Sequence, residues 1–123
     1  MRMKYKGFIW AGIYVQDLEA SIAFYQDVLG LPFLDQGDDW AHFDAGDGVL
    51  LELFTGGTAR AQPKEPDQQS IVLGLRVDNL DSAIVELKQK GVRFTDDAGE
   101  YAGTRWAHFI DSEGNGLEIK EVP

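Results

Sequence analysis

The tetrapeptide Trp-Ala-His-Phe occupies residues 40–43 and recurs at residues 106–109, 66 positions further along the chain. At the same offset Glu52 corresponds to Glu118. Self-similarity at a fixed spacing is typical of a repeated structural unit. The sequence therefore predicts two copies of one module.

The repeat extends over most of the 123 residues. Residues 12–19 resemble residues 74–81, so the two copies match near their beginnings as well as near their ends. We expect one domain over residues 1–123, made of module 1 at about 7–54, a linker at about 55–69 and module 2 at about 70–121.

Each copy has the pattern of a strand, a helix and three further strands, which predicts an α+β fold of two tandem βαβββ modules. Residues 8–15 and 70–77 are rich in aliphatic and aromatic side chains, as buried strands are. The helices are indicated by apolar stripes at Leu18, Ile22, Tyr25 and Leu29 and at Leu80, Ile84 and Leu87. Asp17 and Asn79 are expected to cap the helices at their N-termini. Gly30 and Gly91 are expected to end them in the left-handed conformation.

Side chains alternate between the two faces of a strand, so one face of each sheet can be assigned to the helix and the other left open. In module 1 the helix-facing set is Ala11, Ile13 and Val15. The opposite face, called the open face below, then carries Trp10, Gly12 and Tyr14 in module 1 and Val72, Gly74 and Arg76 in module 2.

The last strand of each module is expected to place a glutamate on the open face. Leu51 and Leu53 belong with the helix, so Glu52 between them faces away from it, and Glu118 does the same in module 2. If each hairpin is symmetric about its turn, every histidine of the repeated tetrapeptide lies opposite a glutamate. The predicted pairs are His42 with Glu52 and His108 with Glu118.

Two open faces turned toward each other would form a cup that suits a small ligand, because aromatic walls supply contact area and a few polar groups fix orientation. The expected lining is Trp10, Tyr14, Trp40, His42, Arg76, Trp106 and His108, together with Glu52 and Glu118. Structural interpretations compete with this hypothesis. The His–Glu pairs can simply stabilise the sheet, and Trp40 or Trp106 can cover a sheet edge or a subunit contact.

Composition narrows the classes of partner. The chain has 11 Lys and Arg against 21 Asp and Glu, a formal charge of −10, which opposes nucleic-acid binding and favours either a cationic ligand or simple solubility. The absence of cysteine excludes disulfides and thiolate sites and fits a cytoplasmic location. The longest apolar run, residues 8–15, is far shorter than the roughly 20 residues that span a bilayer, so we expect no membrane partner.

Residues 15–25 and 28–31, with residues 111–118 in the second copy, resemble the vicinal oxygen chelate superfamily of glyoxalase I, bleomycin resistance proteins and extradiol dioxygenases. The resemblance covers nearly the whole chain. It implies paired βαβββ modules that form a cupped, open barrel, usually in a homodimer.

The resemblance also implies a metal site, because metal-dependent members take His and Glu or Gln ligands from the first and last strands of each module. Glu52 and Glu118 match the last-strand positions, but Trp10 and Val72 stand at the first-strand positions and cannot bind a divalent ion. A site of two His and two Glu would arise only if His42 and His108 replaced the missing ligands.

Three hypotheses follow for function. The leading one is a small-molecule-binding homodimer without the usual metal, in which Glu52 and Glu118 act as polar anchors or as a general base. The alternative is a metal-dependent lyase, isomerase or dioxygenase that uses these glutamates with a divalent metal. The third is a structural or regulatory module whose cup has lost its ligand.

Overall fold

A computed structural model describes residues 3–123, and it contains the strand, helix and three-strand order twice. Module 1 consists of β1 (Trp10–Val15), α1 (Leu18–Ala23), β2 (Phe33–Gln36), β3 (Trp40–Asp44) and β4 (Leu50–Thr55). Module 2 consists of β5 (Leu73–Arg76), α2 (Leu80–Gln89), β6 (Gly99–Tyr101), β7 (Thr104–Ile110) and β8 (Gly116–Glu121). The predicted α+β class with two tandem βαβββ modules is confirmed.

Each module builds one mixed four-stranded sheet, in the orders β1-β4-β3-β2 and β5-β8-β7-β6. The sheets are cupped but are not joined into a closed barrel. The first strands β1 and β5 are parallel to β4 and β8 and lie at sheet edges. They are shorter than the apolar segments that predicted them, since residues 8–9, 70–72 and 77 lie outside the strands.

The helix boundaries follow the predicted capping residues. The Asp17 carboxylate accepts a hydrogen bond from the Ala20 amide at 3.1 Å, and the Asn79 side chain accepts one from the Ser82 amide at 2.9 Å. Helix α1 continues as a π-helical turn over Phe24–Val28 before Gly30 reverses the chain with φ +76°. Neither helix is long and apolar enough to cross a membrane, within the part of the chain that the structure describes.

The predicted strand register is confirmed in both hairpins. His42 pairs with Glu52 in the antiparallel ladder of β3 and β4, and His108 pairs with Glu118 in that of β7 and β8. The symmetry of each hairpin about its turn was sufficient to predict these partners.

The hydrophobic core lies on the helix-covered faces of the sheets. Phe43, Leu53, Phe109 and Ile119 are fully or almost fully buried there, and one apolar cluster includes residues of both modules. The modules therefore share a core on the helix side. Their open faces remain uncovered, as the exposed side chains of Trp10, Tyr14 and Val72 show.

Contact between the modules also runs through the β7–β8 turn. The Tyr25 hydroxyl donates a buried hydrogen bond of 2.7 Å to Asp111, and the backbone amides of Gln16 and Asp17 donate to the Glu113 carboxylate at 2.7 Å each. Burial raises the pKa of Tyr25 well above its ordinary value, and the neighbouring Asp111 carboxylate raises it further. Both buried carboxylates thus accept hydrogen bonds, which offset the cost of removing their charge from water.

The linker between the modules is held against the same turn. The amide of Arg60 donates to the Glu113 carbonyl and the amide of Lys64 to the Gly114 carbonyl, both at 2.9 Å. The Lys64 ammonium also donates to the Asn115 side chain at 2.8 Å. The β7–β8 turn therefore fixes the path of the linker as well as the position of module 1.

Candidate functional site

The open face of module 1 contains His42 between two carboxylates. Its Nδ1 lies 2.9 Å from Asp35 Oδ1, and its Nε2 lies 3.4 Å from Glu52 Oε1. Strands β2 and β3 place Asp35 directly beside His42 in register. The ring therefore has a carboxylate oxygen near each of its two nitrogens.

The open face of module 2 repeats this arrangement around His108. Its Nδ1 lies 2.6 Å from Asp96 Oδ2, and its Nε2 lies 2.9 Å from Glu118 Oε2. Partial burial acts to raise the pKa of the Asp96 carboxyl, but hydrogen bonds from the backbone amide and ring of His108 outweigh it and lower the pKa overall. Each histidine is thereby oriented by an aspartate and joined to a glutamate.

Sequence reasoning missed both aspartates. Asp35 precedes its histidine by seven residues and Asp96 precedes its histidine by twelve, so the aspartates coincide at an offset of 61 residues, as Gly30 and Gly91 do, and not at the offset of 66 that aligns the histidines. The available signal was this match at the offset of 61, at which Phe33 also corresponds to Phe94 two residues before each aspartate.

Each glutamate has a second protein contact in addition to its histidine. In module 1 the indole Nε1 of Trp10 donates to Glu52 Oε1 at 3.0 Å. In module 2 the Lys120 ammonium lies 3.0 Å from Glu118 Oε1. Trp10 thus occupies a first-strand position where the resemblance implies a metal ligand. Its indole N–H donates a hydrogen bond to the glutamate and has no lone pair available for a metal.

The family-implied metal does not fit the donor set of a single chain. No group of three or more His, Asp or Glu side chains is arranged to hold a metal ion within residues 3–123. His42 and His108 lie on different sheets, and each is engaged with the carboxylates of its own module. The hypothetical site of two His and two Glu is therefore not assembled within one chain.

Aromatic side chains cover much of the open face of module 1. The ring of Phe54 lies between Trp10, at a centroid distance of 6.3 Å, and Tyr14, at 4.1 Å. Trp40 packs on the His42 ring at 4.4 Å. Trp10 and Tyr14 are 47% and 60% exposed, so both present usable contact surface.

Glycines make room for the tryptophans on both sheets. A Cβ at Gly12 would collide with the Trp10 ring, and one at Gly99 would lie 2.6 Å from the Trp106 ring. Gly37 has the same relation to Trp40. The glycine pattern was an available but unused signal that these rings lie flat on the sheet.

The open face of module 2 has a different character. Lys120 lies over the Trp106 ring at 5.7 Å, and Arg76 is exposed at the end of β5. A groove of about 430 Å³ is lined there by residues of module 2 only, including Arg76, Glu118 and Lys120. The candidate residues therefore form two sets within one chain, one on each sheet.

Sequence comparisons identify relatives of this chain. The sequence profile of the Glyoxalase/Bleomycin resistance protein/Dioxygenase superfamily matches residues 7–119. The uncharacterized protein YraH of Bacillus subtilis (strain 168) is 30% identical over 120 residues, which cover 88% of this chain and 92% of the relative.

Solved structures share the fold at lower identity. A glyoxalase/dioxygenase from Nostoc punctiforme superposes with a TM-score of 0.81 at 22% identity, covering 96% of this chain and 92% of its own. TnmS3, an antibiotic binding protein from Streptomyces sp. CB03234, superposes with a TM-score of 0.72 at 22% identity, covering 99% of this chain and 100% of its own. At this identity the likeness establishes the fold alone.

Proposed function

Because the chain belongs to the glyoxalase/bleomycin resistance protein/dioxygenase superfamily, we propose that it binds a small organic molecule on its open faces without the family's usual metal ion. One fold carries both reactions and simple binding, so the site has to decide between them. We place this activity in the cytoplasm, in keeping with a chain that has no cysteine.

The observation that carries the proposal is the set of partners of Glu52 and Glu118. Trp10 and His42 surround the first glutamate, and His108 and Lys120 surround the second. A carboxylate that ligates a divalent ion must turn lone pairs to the metal, whereas Glu52 Oε1 accepts a hydrogen bond from Trp10, and both oxygens of Glu118 lie within 3.0 Å of a nitrogen of His108 or Lys120. Such glutamates act as fixed polar anchors beside an aromatic surface, which is the composition of a ligand site.

A second copy of the chain completes this site in our proposal. One chain leaves both open faces uncovered, and contiguous exposed apolar surface marks an interaction site. The segment before β1 adds to that surface, since Tyr5 and Phe8 are 84% and 90% exposed. It is also basic, because Lys4 and Lys6 precede the first carboxylate of the chain, Asp17, while the chain as a whole has a charge of −10. Apolar and basic residues on this segment complement the acidic surface of another copy.

The test is metal content after exposure to Mn, Fe, Co, Ni and Zn and exhaustive dialysis, measured by elemental mass spectrometry. We expect far less than one metal ion per chain. The matched control is the double variant Trp10→His, Val72→His, which restores imidazole ligands at both first-strand positions and is expected to retain close to stoichiometric metal.

Near-stoichiometric metal in the unaltered protein, lost in Glu118→Gln, would overturn the proposal and favour a metal-dependent lyase, isomerase or dioxygenase. If the unaltered protein retains no metal, a thermal-shift screen of small organic molecules tests binding directly, because a ligand that binds only the folded state raises the melting temperature. A screen without any stabilising compound would favour a structural module instead.

A further inference from the structure

The two open faces differ in charge, although they derive from one repeated module. The four strands of module 1 contain no Lys or Arg. In module 2, Arg76 and Lys120 occupy the positions that correspond to Tyr14 and Phe54, and they lie in register on the parallel strands β5 and β8. The repeat therefore has one aromatic open face without Lys or Arg and one open face on which Arg76 and Lys120 lie beside Glu118, called the cationic face below.

Of the two cations on the cationic face, Arg76 is the one that forms no ion pair with residues 3–123. Lys120 is occupied, since its ammonium contacts both Glu118 and the Trp106 ring. Arg76 is exposed and forms no ion pair or side-chain hydrogen bond with any residue from 3 to 123.

The groove beside Arg76 is open to a ligand. Its floor includes Gly74, where an added Cβ would meet Glu118 Oε1 at 3.4 Å and no other atom closer than 3.9 Å. Val72 and Val122 supply apolar lining to the same groove of about 430 Å³. Space, apolar contact and one available guanidinium thus occur together.

We propose, building on the small-molecule binding proposed above, that the ligand carries a carboxylate and that the Arg76 guanidinium binds it in this groove. A guanidinium pairs with a carboxylate through two parallel hydrogen bonds, a geometry that a lysine does not reproduce. The net charge of −10 does not decide this, because exposed charges beyond about 8 Å are largely screened at physiological salt, and the groove itself is lined by two cations, Arg76 and Lys120, against one carboxylate, Glu118. The aromatic open face of a second copy would contact the apolar part of the ligand, so aryl carboxylates are the appropriate probes.

The experiment measures affinity by calorimetry for a panel of aryl carboxylates, each with its neutral carboxamide and its cationic aminomethyl analogue. The carboxylates are expected to bind most tightly, and Arg76→Gln is expected to weaken them about tenfold or more while leaving the carboxamides unchanged. Arg76→Lys is expected to be intermediate. The charge-matched control is Arg93→Gln, which removes a positive charge outside the groove and is expected to leave all affinities unaltered.

Three results would overturn the inference, and they are distinguishable. Tighter binding of carboxamides or amines, or an Arg76→Gln variant with undiminished carboxylate affinity, would refute the carboxylate while small-molecule binding stood. Loss of dimer mass in Arg76→Gln by light scattering would assign Arg76 to the partner copy instead of a ligand. Failure of all three compound classes to bind would count against the proposed function itself.

Discussion

The β3–β4 turn and the β7–β8 turn come from the same repeated unit, yet one is a solvent-exposed hairpin end and the other is buried. Both turns reverse the chain between two strands of equivalent register. Asp111, Glu113 and Asn115 are only 5%, 2% and 6% exposed. At the offset of 66 residues, the corresponding residues of module 1 are Ala45, Asp47 and Val49.

Comparing the two turns distinguishes the residues that form a hairpin from the residues that pack a turn against the rest of the protein. Both turns contain glycine at positive φ, which is sufficient to form the hairpin. Only the second turn packs on the other module, and there the buried carboxylates accept hydrogen bonds from backbone amides, from Tyr25 and from Asn115. Duplication supplied the hairpin, and the sequence differences adapted one copy to hold the modules and the linker together.

The largest expected effect comes from the glycine at equivalent positions of the two turns. Gly48 and Gly114 have φ values of +80° and +84°. A Cβ at Gly48 would meet nothing within 4 Å, whereas one at Gly114 would lie 2.5 Å from the Gln62 carbonyl and 2.6 Å from that of Arg60. We expect Gly48→Ala to cost about 1 kcal/mol of backbone strain and Gly114→Ala about 4 kcal/mol, because the linker backbone must also move.

Urea unfolding of the two variants measures this difference. Similar losses of stability in both would mean that the linker does not rest against the β7–β8 turn. The comparison is internally controlled, since the two substitutions are chemically identical and the φ values differ by a few degrees.

A smaller effect is expected from the carboxylates of the same turns. Asp111 accepts hydrogen bonds from the Tyr25 hydroxyl, from two backbone amides of its own turn and from the Asn115 side chain. Its counterpart for this test is Asp44, which is exposed and accepts one bond, from the Gly46 amide. Asp111→Ala is expected to cost about 2 to 3 kcal/mol, because it leaves buried donors unpaired, and Asp44→Ala about 0.5 kcal/mol.

Equilibrium unfolding again provides the measurement. Equal costs for these two variants would contradict the view that burial distinguishes the turns. Asp111→Asn offers a finer version, because it keeps the shape of the side chain and one carbonyl acceptor while removing the negative charge.

Much of the fold was predictable because it depends on local patterns. Alternation assigned Trp10 and Tyr14 to the open face, and hairpin symmetry paired His42 with Glu52. These features follow from the period of a strand and the geometry of a turn, which the sequence expresses directly. The family resemblance added the pairing of two βαβββ modules, which the superfamily match supports.

The remainder depends on contacts between distant segments. Nothing local distinguishes Glu113 from an exposed turn residue, since its burial is caused by residues 16–17 and the linker. The aspartate partners of the histidines were missed although Asp35 and Asp96 match at an offset of 61 residues, because the segments that connect them to their histidines differ in length. The relative placement of the two open faces is likewise set by packing between modules, on which periodicity carries no information.

The smallest expected effect concerns Tyr25, whose counterpart in module 2 is the apolar Leu87. Burial, with Asp111 beside it, raises the pKa of the Tyr25 hydroxyl well above its ordinary value of 10.0. The hydroxyl therefore stays protonated in the folded chain while it ionises in the unfolded chain above pH 10. A raised folded pKa means that its stabilisation is complete below pH 10 and is lost as the pH rises further.

Tyr25→Phe removes the hydroxyl but keeps the ring, so it isolates this proton. At neutral pH we expect the variant to be about 1 kcal/mol less stable, through loss of the hydrogen bond to Asp111. Above pH 10 the unaltered protein is expected to lose about 1.4 kcal/mol per pH unit more than the variant, so that the difference between them closes and then reverses. Urea titrations at matched pH values measure the difference, in which the remaining tyrosines and lysines largely cancel. A stability difference that stays constant through pH 11 would show that Tyr25 ionises as readily in the folded chain as in the unfolded one, and the contact between Tyr25 and Asp111 would then not distinguish module 1 from module 2.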